Sequence, residues 1–103
     1  MNLESLTADE VIARLREHEA ELRAAGICRL SLFGSVARAE SQADSDIDLV
    51  AEFDPKAGIG LLDVEALERR LSEILGPAVD LLPEPVEKER LQAKIDRDRR
   101  RAF

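Results

Sequence analysis

Two aspartates set one residue apart, in Asp46-Ile47-Asp48, are the residues whose type and spacing first point to chemistry. In an extended strand, side chains two apart project from the same face, so these carboxylates stand close together. Two carboxylates so placed repel one another unless a positive charge sits between them. A hard divalent cation with oxygen ligands meets that need. Mg²⁺ in particular is commonly held by one or two carboxylates together with substrate phosphates. D-x-D on a strand therefore points to a metal that arrives with a nucleotide. The competing reading is a pair of solvated acids at a strand edge. Against it, Asp is depleted in strands, and the other face of this strand, Ile47, Leu49, Ala51 and Phe53, is continuously apolar.

Gly34-Ser35 supplies a second element, shortly before the first. Here a strand-like run ends, glycine permits a tight turn, and a short helix can begin at the serine. Free N–H groups and the partial positive charge of a helix N-terminus favour phosphate. Ser35 adds a hydroxyl donor. Arg38 can reach the same anion or brace the acidic loop that follows it. A glycine-serine pair alone is equally consistent with an ordinary helix cap; its weight comes from its nearness to the aspartates.

Taken together, Gly34-Ser35-Val36-Ala37-Arg38 and Ser45-Asp46-Ile47-Asp48 resemble the signature of the DNA polymerase β-like nucleotidyltransferase superfamily. Length and element order resemble its minimal nucleotidyltransferase (MNT) branch, the MntA-type antitoxins of HEPN/MNT toxin–antitoxin systems. The resemblance implies that Gly34, Ser35, Arg38 and Ser45 serve the nucleotide. It implies that Asp46, Asp48 and a third acid on a later strand carry Mg²⁺, two ions in all, and act in catalysis. Asp80, in Val79-Asp80-Leu81, matches that third position. One departure is Ala39, where many relatives carry glycine. By the same resemblance the chain moves AMP from ATP to a hydroxyl of a protein partner, a HEPN ribonuclease toxin that it neutralises. The alternative is a non-catalytic, nucleotide-binding antitoxin that masks its partner sterically. No segment is left over to grip an acceptor, which favours a partner with its own docking surface and a hetero-oligomer.

Asp80 is also supported by its own surroundings. It lies between two apolar residues that would pack on the opposite face. If its strand joins the sheet near the second strand, all three acids share a face. Glu52 and Asp54 compete for the role, and Glu52 has the correct parity but lies further along its strand.

The elements that must position these residues follow from pattern. Thr7-Ala8-Asp9-Glu10 is a capping-box sequence, and a helix is expected over 8–25 with Val11, Leu15, His18 and Leu22 on one stripe. Gly26 is placed to stop it. A strand is expected over 28–33, one or two helical turns over 36–40, a polar loop over 41–45 and a strand over 46–53. A turn at 54–58 leads to a helix over 61–75, buried through Val64, Leu67, Leu71 and Ile74. Gly76-Pro77 ends that helix. A third strand is expected over 78–82, and a last helix over 86–100 anchored by Leu91 and Ile95. The expected fold is α/β (α+β), polymerase β-like, with a small mixed sheet flanked by helices, in a single domain spanning 1–103.

Composition narrows the classes. Of 103 residues, 45% are hydrophobic and 36% charged, which suits a folded chain. The absence of Trp and Tyr leaves the core to aliphatic residues. A net charge of −7 disfavours direct nucleic-acid binding. The lone Cys28 excludes an internal disulfide and suits a reducing compartment. An acidic N-terminus without an apolar run, and no stretch long enough to cross a bilayer, give a cytoplasmic expectation with no membrane partner. His18 and Cys28 are expected to be structural. Lys88 and Arg90 could approach a nucleotide or face solvent. Arg97, Arg99, Arg100 and Arg101 suit either an acidic partner surface or the helix dipole.

Overall fold

The computed structural model describes residues 7–38 and 46–103. Thr7 caps the first helix as its sequence predicts: its hydroxyl accepts from Glu10 N–H at 3.1 Å, and Glu10 returns the bond to Thr7 N–H at 3.2 Å. The expected single helix is instead two, α1 (Ala8–Glu17) and α2 (Glu19–Ala24). The break falls at His18, whose N–H bonds to Leu15 C=O at 3.1 Å. The bend lets both Leu15 and Leu22 bury completely, while His18 stays one-third exposed and faces Glu21.

Then follow β1 (Ile27–Phe33), a single turn α3 (Gly34–Ala37), β2 (Ile47–Phe53), a 3₁₀ turn (Pro55–Ala57) and α4 (Leu61–Leu75). β3 (Val79–Pro83), α5 (Glu89–Asp98) and a two-residue β4 (Arg100–Arg101) complete the chain. The strands form one mixed sheet in the order β3-β2-β1-β4. β1 is antiparallel to β2 and β4, and β2 is parallel to β3. The last helix thus begins later than expected, and the end of the arginine cluster is a strand. Ala102 and Phe103 behind it are buried, with Ala102 N–H on Leu30 C=O at 2.8 Å and Arg23 over the Phe103 ring.

The period-2 alternation of the strands gives the sheet two unlike faces. Leu30 and Leu32 of β1, Leu49 and Ala51 of β2, and Leu81 of β3 join the main core beneath α1 and α4. The opposite face carries a smaller cluster, Phe33, Val50 and Ile95, through which α5 seats on the sheet. α5 covers only part of that face. The acids lie on what it leaves open.

Edge strand β3 would expose its outward N–H groups. Ser72 and Glu68, four apart on α4, take them: Val79 N–H donates to Ser72 Oγ at 3.1 Å and Leu81 N–H to Glu68 Oε2 at 2.8 Å. This blunts the edge against pairing with another strand.

Candidate active site

Two strand pairings converge on Asp48. It is the register partner of Phe33 on β1 and of Asp80 on β3. Register partners on adjacent strands share a face, so the Asp48 and Asp80 carboxylates stand side by side about one strand spacing apart. Asp46 lies exposed just ahead of β2. The parallel β2–β3 pairing, which sequence pattern left open, is what brings Asp80 to the site.

Gly34 is required here on two counts. Its φ of +78° strains any L side chain, and a Cβ at this position would sit 2.3 Å from Asp48 Oδ2. Ser35 is the second residue of the single turn of α3, whose N-terminus has no side-chain cap. With only four residues, α3 contributes little macrodipole; its N–H groups act as local donors of a turn. Arg38 closes the turn and donates from Nη1 to Asp98 Oδ2 at 2.8 Å, bracing α3 against α5.

Gly34, Ser35, Arg38, Asp48, Asp80 and Lys94 line a cleft of about 390 Å³. Phe33, Glu68, Leu82 and Leu91 complete its wall. Burial pushes the half-buried Asp48 carboxyl above its ordinary range, and the charges of Asp80 and Asp46 push it further. Lys94 and Arg38 oppose the rise. Such mutual repulsion within an all-carboxylate donor set fits a hard divalent cation. As the side chains stand, no three His, Cys, Asp or Glu residues among those described are gathered closely enough to ligate one ion.

Most of the expected site residues come together. Gly34, Ser35, Arg38, Asp48 and Asp80 share the cleft, and Asp46 acts on Asp48 through its charge. Ser45, expected at the nucleotide, and Ala39 lie outside the described residues. The competitors of Asp80 are elsewhere. Glu52 pairs in register with Arg29 toward the far end of β2. Asp54 caps the 3₁₀ turn, accepting from Lys56 N–H at 2.9 Å.

Lys94 and Glu68 were not anticipated. Lys94 had a legible signal: it sits three residues after Leu91 and beside Ile95, on the flank of the anchored face of α5. Lys88 and Arg90, whose charge also suits a nucleotide, are exposed near the start of α5, outside the cleft lining. Arg97, Arg99 and Arg100 of the arginine cluster pair within the chain. Arg99 Nη1 bonds Glu84 Oε1 at 2.9 Å and Arg100 Nη2 bonds Asp9 Oδ1 at 2.7 Å. Cys28 is half-buried on β1. Among the described residues no helix is long and apolar enough to cross a membrane.

Residues 12–103 match the family model described as a nucleotidyltransferase domain. A protein of Methanocaldococcus jannaschii, named as a protein adenylyltransferase, is 47% identical over 57 residues, 55% of this chain and 59% of that protein. The protein adenylyltransferase MntA of Thermococcus cleftensis is 37% identical over 78 residues, 75% of this chain and 77% of that one. A solved minimal nucleotidyltransferase superposes with a TM-score of 0.74 at 36% identity, covering 92% of this chain and 95% of that one. A tri-AMPylated Shewanella oneidensis HEPN toxin in complex with its MNT antitoxin shares the fold at a TM-score of 0.62 and 18% identity, covering 87% and 71%.

Proposed function

The chain belongs to the nucleotidyltransferase domain family, and from that premise we propose that it transfers AMP from ATP to a hydroxyl of a partner protein. The observation that supports this best is the side-by-side placement of Asp48 and Asp80 against the Gly34-Ser35 turn, in one cleft.

Asp46, Asp48 and Asp80 are the residues to hold Mg²⁺. When bound, the metal supplies positive charge to the triphosphate and acidifies the acceptor hydroxyl. The Gly34 turn leaves room for the Asp48 carboxylate and keeps the backbone close to the phosphates. Ser35 Oγ and its N–H donate to phosphate oxygens. Lys94 adds positive charge from the α5 side, and the Arg38–Asp98 pair holds the two walls in register. The acceptor oxygen attacks the α-phosphorus in line. A new P–O bond forms as the bond to pyrophosphate breaks, and the hydroxyl proton passes to Asp80. Positioning and charge stabilisation supply most of the rate in such transfers.

The partner we favour is a HEPN-type toxin in the cytoplasm, silenced by the modification. Support comes from relatives named for protein adenylylation and from a neighbour in fold whose HEPN toxin carries AMP. The test is to incubate the chain with Mg²⁺, labelled ATP and a HEPN-type protein, and to weigh the products. One or more AMP units on the HEPN-type protein, lost with Asp46→Ala and Asp48→Ala, is the expected result. If both variants neutralise the toxin as well as the parent does, neutralisation is steric and the enzymatic account of it fails.

A further inference from the structure

Leu61 and Leu62 open α4 with 75% and 78% of their surface in solvent, the two large exposed apolar side chains among the described residues. Leu61 lines a groove of about 680 Å³ together with Phe53, Ile59, Val64, Leu82 and Pro83, and Leu62 follows it in the first turn of α4. Two adjacent exposed leucines, one of them in the wall of an apolar groove, form a patch of the kind that marks an interaction surface. The groove is not separate from the cleft. Glu68 and Leu82 line both, so a chain seated in the groove runs directly toward Asp48 and Asp80.

We propose that this groove is where the acceptor protein docks, and that it takes a basic segment with apolar anchors that carries the acceptor hydroxyl past Leu82 into the cleft. This rests on the transferase reading only for the word acceptor; the docking itself stands on the surface. Three observations select the occupant. First, Asp54, Glu65 and Glu68 are the charged residues of the lining, with no Lys or Arg among them, so Lys or Arg flanking the anchors complements it. Second, a second copy of this chain is disfavoured, because an isologous contact would set one acidic groove against another in a protein of net charge −7. Third, the segment cannot add as a strand. The outward N–H groups of Val79 and Leu81 are already taken by Ser72 and Glu68, and Pro83 has none. The partner must therefore attach through side chains, as a helix or loop that inserts apolar anchors.

Leu61→Asp/Leu62→Asp tests this. Both positions lie in the first turn of α4, where Asp suits the helix dipole, so an unchanged melting temperature is the control for folding. Binding to the HEPN-type protein is measured by calorimetry, and AMP transfer by mass, with parent and variant. The expected result is a loss of at least about tenfold in affinity, typical of removing central anchors, with ATP binding unchanged. Glu65→Lys should weaken binding in the same direction, more at low salt. Equal binding and transfer by parent and double variant overturns the docking surface and leaves the transferase reading intact. Binding lost in the variant with no transfer by the parent supports the surface and sinks that reading. A parent that is dimeric, with a monomeric double variant, assigns the groove to a second copy and overturns the proposal.

Discussion

Asp48→Asn should make the metal-free protein more stable while removing its activity. Asn keeps the shape of Asp and drops the charge. The Asp48 carboxyl is pushed above its ordinary value, first by burial and then by Asp80 and Asp46. A carboxyl raised on folding costs stability once it ionises: the cost is absent well below the ordinary value of 3.8 and grows as pH rises through the raised one. Its size follows from the pairing of Asp48 with Asp80. Unit charges about 5 Å apart repel by about 0.8 kcal/mol in water-like surroundings and by about 3 kcal/mol at an effective dielectric of about 20. Asp48 is half-buried and Asp80 exposed, so screening brings the value toward the lower end, and Lys94 and Arg38 subtract from it. Relief of about 1 kcal/mol should raise the melting temperature by roughly 4–8 °C in a domain of this size. Thermal unfolding followed by circular dichroism in EDTA at pH 7, and again near pH 3 where the gain should vanish, measures it. Mg²⁺ should then raise the melting temperature of the parent and hardly move that of the variant, since only the parent keeps the full donor set. A variant that melts below the parent in EDTA, or gains as much from Mg²⁺, would refute the electrostatic account of the cleft.

Gly34→Ala should cost about 1–2 kcal/mol from the left-handed backbone alone; with its Cβ 2.3 Å from Asp48 Oδ2, it should also abolish AMP transfer, read by denaturant unfolding and by mass. Lys94→Ala should raise the KM for ATP about tenfold, the worth of one charge-assisted contact, while Lys94→Arg retains most of the affinity; an unchanged KM would remove Lys94 from the nucleotide site. Ile95→Ala should cost about 2–5 kcal/mol, because Ile95 is wholly buried on Phe33 and Val50, and a small shift in denaturation midpoint would show that α5 is held by something else. Glu84 is held below its ordinary value of 4.5 chiefly by Arg99, so its contribution is full above that value and drains away as pH falls. Glu84→Gln should be the less stable protein at pH 7, with the difference closing in acid, as denaturant midpoints across pH will record.

The sequence made legible what depends on local pattern. Alternation in 46–53 places Asp48 opposite an apolar face, Gly34-Ser35 marks the turn, and the periodicity of 61–75 matches α4 at both ends. What it could not convey was set by tertiary packing. Nothing local breaks the first helix; His18 yields because Leu15 and Leu22 must both reach the sheet. Arg100 and Arg101 read as helix end or partner surface because β-pairing to Leu32 and Ser31 is non-local. Lys94 was legible only as a flank of the face anchored by Leu91 and Ile95; that this flank lines the cleft with Asp48 depends on which sheet face α5 chooses. Strand order and register could not be read either, and they decide that Asp80 stands beside Asp48.

The two faces of the sheet divide stability from chemistry. The core beneath α1 and α4 is apolar throughout, and its side chains are those whose loss should unfold the protein. On the other face α5 is anchored by a few apolar residues at one end, and repelling carboxylates occupy the other. A closer-fitting helix over that end would bury Asp48 and Asp80 further and raise the cost of their charge. The opening beside α5 is thus the condition on which the acids can remain ionised. It also leaves the acids open to cation and triphosphate, since the sheet and its main core block the opposite face. Substitutions that relieve the repulsion should therefore stabilise the fold and disable the cleft together, a coupling that follows from placing like charges in register on adjacent strands.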